Sequence, residues 1–194
     1  AFGTEDFDDL YLKYEADKTI PKKTVAAQDL FGDLLKERAE TGRIYIMNLD
    51  HCNSHSSFKD KVSMSNLCQE ITLPTTPIQD IHDEQGEIAL CILSAVNVGG
   101  LNDLSELENI CDLSVRALEQ IIDYQDYPVK AAEVSTKKRR SLGIGYIGLA
   151  HYLAKNGVKY SDPKAWDLVD RLTEAFQYNL LRASCNIAME KGKC

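Results

Sequence analysis

The chain has 194 residues, 44% hydrophobic and 27% charged, with only 5 Pro and 11 Gly, which excludes a disordered, collagen-like or linker-dominated polypeptide. Its net charge of -8, from 22 basic and 30 acidic residues, argues against a general nucleic-acid surface, which needs a basic field. No apolar run approaches the ~18 residues of a membrane helix. The opening AFGTEDFDDL lacks the basic start and apolar stretch of a secretion signal, so a soluble, cytoplasmic globular chain is expected.

The six cysteines, Cys52, Cys68, Cys91, Cys111, Cys185 and Cys194, form no dense framework in a chain long enough to build a core. Reduced thiols are the expected state. One basic cluster, Lys137–Arg140, reads as the solvated flank of a loop.

In chain order, residues 5–16 place Phe7, Leu10, Tyr11 and Tyr14 at helical spacing after Thr4, a potential N-cap. Residues 25–40 repeat the pattern with Ala27, Leu30, Phe31, Leu34 and Leu35 and stop at Gly42, a C-cap residue. Arg43–Leu49 (RIYIMNL) reads as a buried strand, and 50–69 as a long polar loop of the kind that carries function. Ile88–Val98 predicts a second buried strand, turning at Gly99-Gly100. A helix over about 104–123 follows, opened by Asp103-x-x-Glu106 and burying Leu107, Ile110, Ala117, Leu118 and Ile121. Residues 124–140 read as loop because Tyr127-Pro128 discourages helix. Ser141–Ile147 predicts a third strand, with a helical turn at 148–155. The last helix opens with Asp162-Pro163 and carries a stripe of Trp166, Val169, Leu172, Phe176, Leu180, Ala183 and Ile187. Short apolar strands between helices predict an α/β arrangement with mostly parallel strands.

Three groups invite chemistry. Gly143-Ile-Gly145-Tyr-Ile-Gly148 matches GxGxxG, but the preceding KKRRSL is too polar for the central strand of a dinucleotide site. Close backbone packing is the plainer use of these glycines. Cys52 and His55, next to His51, have C-x-x-H spacing suggestive of zinc, yet no second knuckle exists. A polar loop using His and Asn in local hydrogen bonds is the alternative. In Ser65–Pro74, an extended backbone would turn Asn66, Cys68 and Glu70 to one face at intervals of about 7 Å. An amide, a thiol and a carboxylate can then hydrogen-bond, abstract and deprotonate around one small substrate, although an edge strand with a chance cysteine fits the same pattern.

SNLCQEITLPT, GEIALCILSAVNVGG, DYQDYP and RRSLGIGYIGLAHYLAKNG, in that order and preceded by TGRIYIMNLDHCNSH, resemble the catalytic core of the class I ribonucleotide reductase large (alpha) subunit over nearly the whole chain. The resemblance implies a ten-stranded α/β barrel of two parallel five-stranded halves, with residues 1–194 forming part of the catalytic barrel and a central finger loop at about 50–73. It implies that Cys68 is the thiyl radical taking hydrogen from C3′ of the ribose. Glu70 would be the base on the 3′-hydroxyl, a buried carboxylate suiting that task, and Asn66 a substrate-orienting amide. Cys91 would be one half of a redox-active disulfide whose partner is absent from these residues. No role is implied for Cys52, Cys111, Cys185 or Cys194.

The same resemblance implies a ribonucleoside diphosphate substrate, a small (beta) radical-bearing subunit, a thioredoxin- or glutaredoxin-type reductant and a homodimer of large subunits, with neither nucleic acid nor membrane as a partner. No cofactor would be bound by these residues themselves; the metal-dependent radical belongs to the small subunit, and ATP/dNTP effectors bind elsewhere. The 194 residues read as an internal fragment, inactive alone. A zinc-binding interaction module and a related glycyl-radical or cobalamin-dependent reductase are the alternatives.

Overall fold

A computed structural model describes residues 6–194. The chain divides into two units, the first ending at Thr76 and the second running Pro77–Cys194.

In the first unit, α1 (Phe7–Ala16) has Asp8 and Asp9 in its first turn and Lys13 in its last, complementing the helix dipole. Asp6 occupies the N-cap position; Thr4 lies outside the described residues. As expected, α2 (Ala27–Thr41) ends at Gly42, where φ is +66° and the N–H donates to the Arg38 carbonyl. Neither helix buries a residue, and Tyr11, Leu12, Leu30 and Phe31 are all exposed.

The expected strand over Arg43–Leu49 does not form. Residues 43–48 have no regular structure, and Leu49–Ser54 is a short helix, α3, inside the stretch read as loop. Strand composition describes side chains that fit a pleated, half-buried surface. Tyr45 and Ile46 are exposed, and no strand among the described residues pairs with them.

The second unit is built on a parallel pair. β1 (Ile92–Asn97) lies beside β2 (Leu142–Ile147) in a register running from Ile92↔Leu142 to Asn97↔Ile147. Alternation sorts the side chains by face. Val96, Ile144 and Tyr146 join the core with α4 (Leu107–Tyr124) and α7 (Pro163–Lys191), whereas Leu93, Ala95, Gly145 and Ile147 are exposed on the opposite face. The central cluster is Val96, Val98, Leu101, Leu107, Cys111, Tyr152, Leu172 and Phe176. At its edge the half-buried Tyr146 ring meets that of Phe176 edge to face at 5.6 Å.

Caps set these elements as the sequence indicates. Asp103 accepts the Ser105 N–H at 2.8 Å while Glu106 Oε1 accepts the Asn102 N–H at 3.1 Å. Asp162 accepts the Lys164 N–H at 3.0 Å, with Pro163 at the first position of α7. The buried stripe of α4 is Leu107, Cys111, Val115, Leu118 and Ile122, so Ala117 and Ile121 face outward, contrary to expectation. Trp166, expected in the α7 stripe, is 72% exposed.

Residues 130–139, expected as loop, form α5 (Lys130–Arg139). Pro128 restricts the residue before it and precedes the helix, so it removes none of the helical hydrogen bonds. Glu133 pairs with Lys137 at 2.8 Å across one turn. The last short helix, α6 (Leu149–Lys155), follows β2 directly.

Candidate functional site

Asn66 and Cys68 lie in a tight turn of the first unit, which Glu70 directly follows, and the extended backbone expected for them is replaced by that turn. The Gln69 N–H donates to the Asn66 carbonyl at 3.1 Å, making Cys68 the third residue of the turn, and Gln69 takes φ +62°. Asn66 closes the far side: its Oδ1 accepts the Ile71 N–H at 3.0 Å, and Ser65 Oγ donates to the Ile71 carbonyl at 2.8 Å. The side-chain oxygen of Asn66 is therefore spent on the loop, leaving its Nδ2 donors for another acceptor. Cys68 is exposed, and so is Glu70, which is not the buried carboxylate the family resemblance implies.

Asn53 anchors the chain upstream of this turn. From α3 it donates through Nδ2 to the carbonyls of Leu49 (2.9 Å) and Val62 (2.8 Å) and accepts the Val62 N–H at 2.8 Å. Val62 is buried. The polar run 51–55 thus works through local hydrogen bonds; His55 Nδ1 lies 2.9 Å from Ser54 Oγ and 3.1 Å from the His51 carbonyl. Among the described residues no three His, Cys, Asp or Glu side chains are placed to hold a metal ion.

Cys91 is half-buried at the entry to β1 in the second unit, its Sγ 4.0 Å from the Ile92 carbonyl. Beside it Gly143 and Gly148 of GIGYIG act as packing residues, as expected, whereas a Cβ at Gly145 would meet nothing within 4 Å. A Cβ at Gly143 would fall 2.5 Å from Leu93 Cδ2 and 2.8 Å from Cys91 Sγ. Gly148 starts α6 at φ +79°, and a Cβ there would overlap Asn97 Oδ1.

The segment leading to Cys91 is held by a group the sequence reading missed. Glu87 is buried and takes Arg139 Nε at 2.5 Å and Lys138 Nζ at 2.8 Å. The Arg139 hydrogen bond, aided by Lys138, holds its carboxyl below the ordinary value of 4.5 despite burial. Next along the chain, the Ile88 N–H donates to the Ala131 carbonyl at 3.2 Å. Arg140, in left-handed conformation at the end of α5, pairs with Glu119 at 2.6 Å and Asp123 at 2.8 Å. The basic cluster is therefore a latch; the signal available in sequence was a lone acid in the apolar run GEIALC.

Burial pushes the Cys111 thiol up, and its Sγ sits 4.0 Å from the Phe176 carbonyl inside the core, a packing position. A cavity of about 370 Å³ in the second unit is lined by Val115, Leu142, Ile144, Leu180 and Ile187 among others, and includes none of Asn66, Cys68, Glu70 or Cys91.

The sequence that carries these elements is matched by a family of known proteins. The model of the ribonucleotide reductase barrel domain matches residues 1–194. The chain belongs to that family. It is 58% identical over 197 residues to the ribonucleoside-diphosphate reductase subunit alpha of Haemophilus influenzae, covering 100% of this chain and 26% of that protein. The subunit of the same name from Buchnera aphidicola subsp. Baizongia pistaciae is 57% identical over 98% of this chain, and ribonucleoside-diphosphate reductase 1 subunit alpha of Escherichia coli 53% over 98%. The chain spans about a quarter of the length of these relatives.

Proposed function

We propose that these residues are part of the catalytic barrel of an enzyme that reduces ribonucleoside diphosphates to 2′-deoxyribonucleoside diphosphates. The observation that carries this reading is the Asn66–Cys68–Glu70 turn, which exposes a thiol between an amide and a carboxylate in a chain of this family. Around it we place a ten-stranded barrel with residues 50–73 as its finger loop, the pair β1 and β2 belonging to one parallel half.

The Cys68 thiyl takes hydrogen from C3′ of the ribose, forming S–H. Glu70 accepts the 3′-hydroxyl proton while the 2′-hydroxyl, protonated by one thiol of the Cys91 pair, departs as water. Asn66 Nδ2 donates to the substrate and orients it. Two electrons come from Cys91 and a second thiol as their S–S bond forms, a C2′–H bond replaces C2′–O, and Cys68 returns hydrogen to C3′. An S–H bond close in strength to a ribose C–H makes that exchange reversible.

The radical originates in a metal-dependent small subunit, and a thioredoxin- or glutaredoxin-type protein restores the dithiol. Large subunits pair as a homodimer in the cytoplasm, with ATP/dNTP effectors bound elsewhere in the longer chain. In the full-length protein with its small subunit, Cys68→Ser is expected to abolish deoxynucleotide formation while substrate binding and folding persist. Retained turnover overturns the assignment.

A further inference from the structure

β2 carries a glycine, Gly143, where it passes the Cys91 thiol. Gly143 pairs with Leu93 in the parallel register, and Cys91, two residues before Leu93, shares the face to which a side chain at 143 would point. That face is the one turned away from α4 and α7. Gly143 is an ordinary strand residue, with no positive φ to require glycine. Its requirement is steric and comes from two side chains: a Cβ would sit 2.5 Å from Leu93 Cδ2 and 2.8 Å from Cys91 Sγ, both inside normal contact. Two positions on, at Gly145, a Cβ would meet nothing within 4 Å. The notch is therefore local to Cys91.

The two contacts differ in how they yield. Leu93 is 59% exposed and can swing its tip away. Cys91 has a single side-chain torsion, so its sulfur can leave the notch only by moving to another staggered well, which redirects the S–H bond. Disulfide formation tolerates little of this, because its Cβ–S–S–Cβ geometry is narrow.

We infer that Gly143 is a positioning residue for the redox thiol: the notch over its Cα seats Cys91 Sγ in the rotamer from which it forms the disulfide. This rests on the redox reading of Cys91 given above. In that step two thiols lose two protons and two electrons to form S–S, and the electrons and protons leave as the new C2′–H bond and water.

The test uses the full-length enzyme with its small subunit, a ribonucleoside diphosphate carrying tritium at C3′, and the variants Gly143→Ala, Leu93→Ala/Gly143→Ala and Cys91→Ser. In Gly143→Ala, washout of C3′ tritium into water, by exchange of the transferred hydrogen while Cys68 holds it as S–H, is expected to persist, showing an intact Cys68 step. Deoxynucleotide formed by the prereduced enzyme is expected to fall about tenfold or more, and the dithiol–disulfide equilibrium to move toward the dithiol by about tenfold, ~30 mV.

The double variant is expected to keep the defect, because the Sγ contact remains. Unchanged product and equilibrium in Gly143→Ala overturn the inference, as does loss of tritium release together with product. Rescue by Leu93→Ala overturns it too, since the obstacle was then Leu93. Cys91→Ser separates the two levels: deoxynucleotide formation that survives it removes the redox reading itself. Its loss, with Gly143→Ala behaving as wild type, removes only the role of Gly143.

Discussion

Glu87 and Arg139, 52 residues apart in sequence, meet through a hydrogen bond from Nε to a carboxylate that is 5% exposed. The pair ties the approach to Cys91 onto the end of α5, with Lys138 completing it at 2.8 Å. Removing one partner of a buried pair leaves the other uncompensated, so Glu87→Ala is expected to cost about 3 kcal/mol in urea unfolding. The pH dependence follows from the direction of the shift. Folding lowers the Glu87 carboxyl below 4.5, so its stabilisation is complete above that value and is lost as pH falls through the lower, folded one. The variant is expected to lose less stability than wild type over that acid interval, and an equal acid slope in both contradicts the assignment.

Gly148 joins β2 to α6 at φ +79°, and Asn97 Oδ1 at the end of β1 fills the space a Cβ there would need. Gly148→Ala meets both a left-handed backbone penalty and a side-chain collision, for an expected loss of about 2 kcal/mol. Adding Asn97→Ala relieves only the collision. The double variant is expected to recover part of the loss, and additivity of the two changes in thermal unfolding contradicts the contact.

Much of the fold is legible in the sequence, and the misses share a cause. Gly42 and the Asp162-Pro163 cap are local chemistry, and the structure has both where the residues place them. β1 and 43–48 look alike in composition; one has Leu142–Ile147 to pair with, and the other has no pairing strand among the described residues. Composition cannot supply a partner. At the candidate site, alternation at 66, 68 and 70 is compatible with extended backbone or turn, and the decision lies in Asn66 Oδ1 reaching the Ile71 N–H. No residue signals the positive φ at Gln69, a residue type rarely found there. Glu87 stands out as a lone acid in GEIALC, but its role is not legible there, because a buried acid means little until its cations are located in space.

Asn53 brackets α3 to the segment at Val62, using both ends of its amide. Asn53→Asp keeps the size and the acceptor but removes both N–H donors, leaving the Leu49 and Val62 carbonyls to lose their partner. The expected cost is about 1–2 kcal/mol, concentrated locally. Limited proteolysis within residues 55–61 is expected to accelerate several-fold, while cleavage in the second unit is unchanged. Equal protection in both proteins contradicts the bracket.

Leu172 is fully buried on α7 in the cluster that holds Val96, Leu107, Cys111 and Phe176. A helix held by packing responds to the volume removed from its buried face, and Leu172→Ala is expected to destabilise the chain by about 3 kcal/mol. Leu113 on α4 provides the comparison, since it is 67% exposed and the same truncation there is expected to change stability by less than about 0.5 kcal/mol. The contrast tests which faces of the two helices meet: α4 turns Cys111 and Val115 inward on either side of Leu113, so equal losses at 113 and 172 would require α4 to be rotated about its axis. Such a rotation also exposes Cys111, and fast alkylation of that thiol in the folded protein is the independent mark of it.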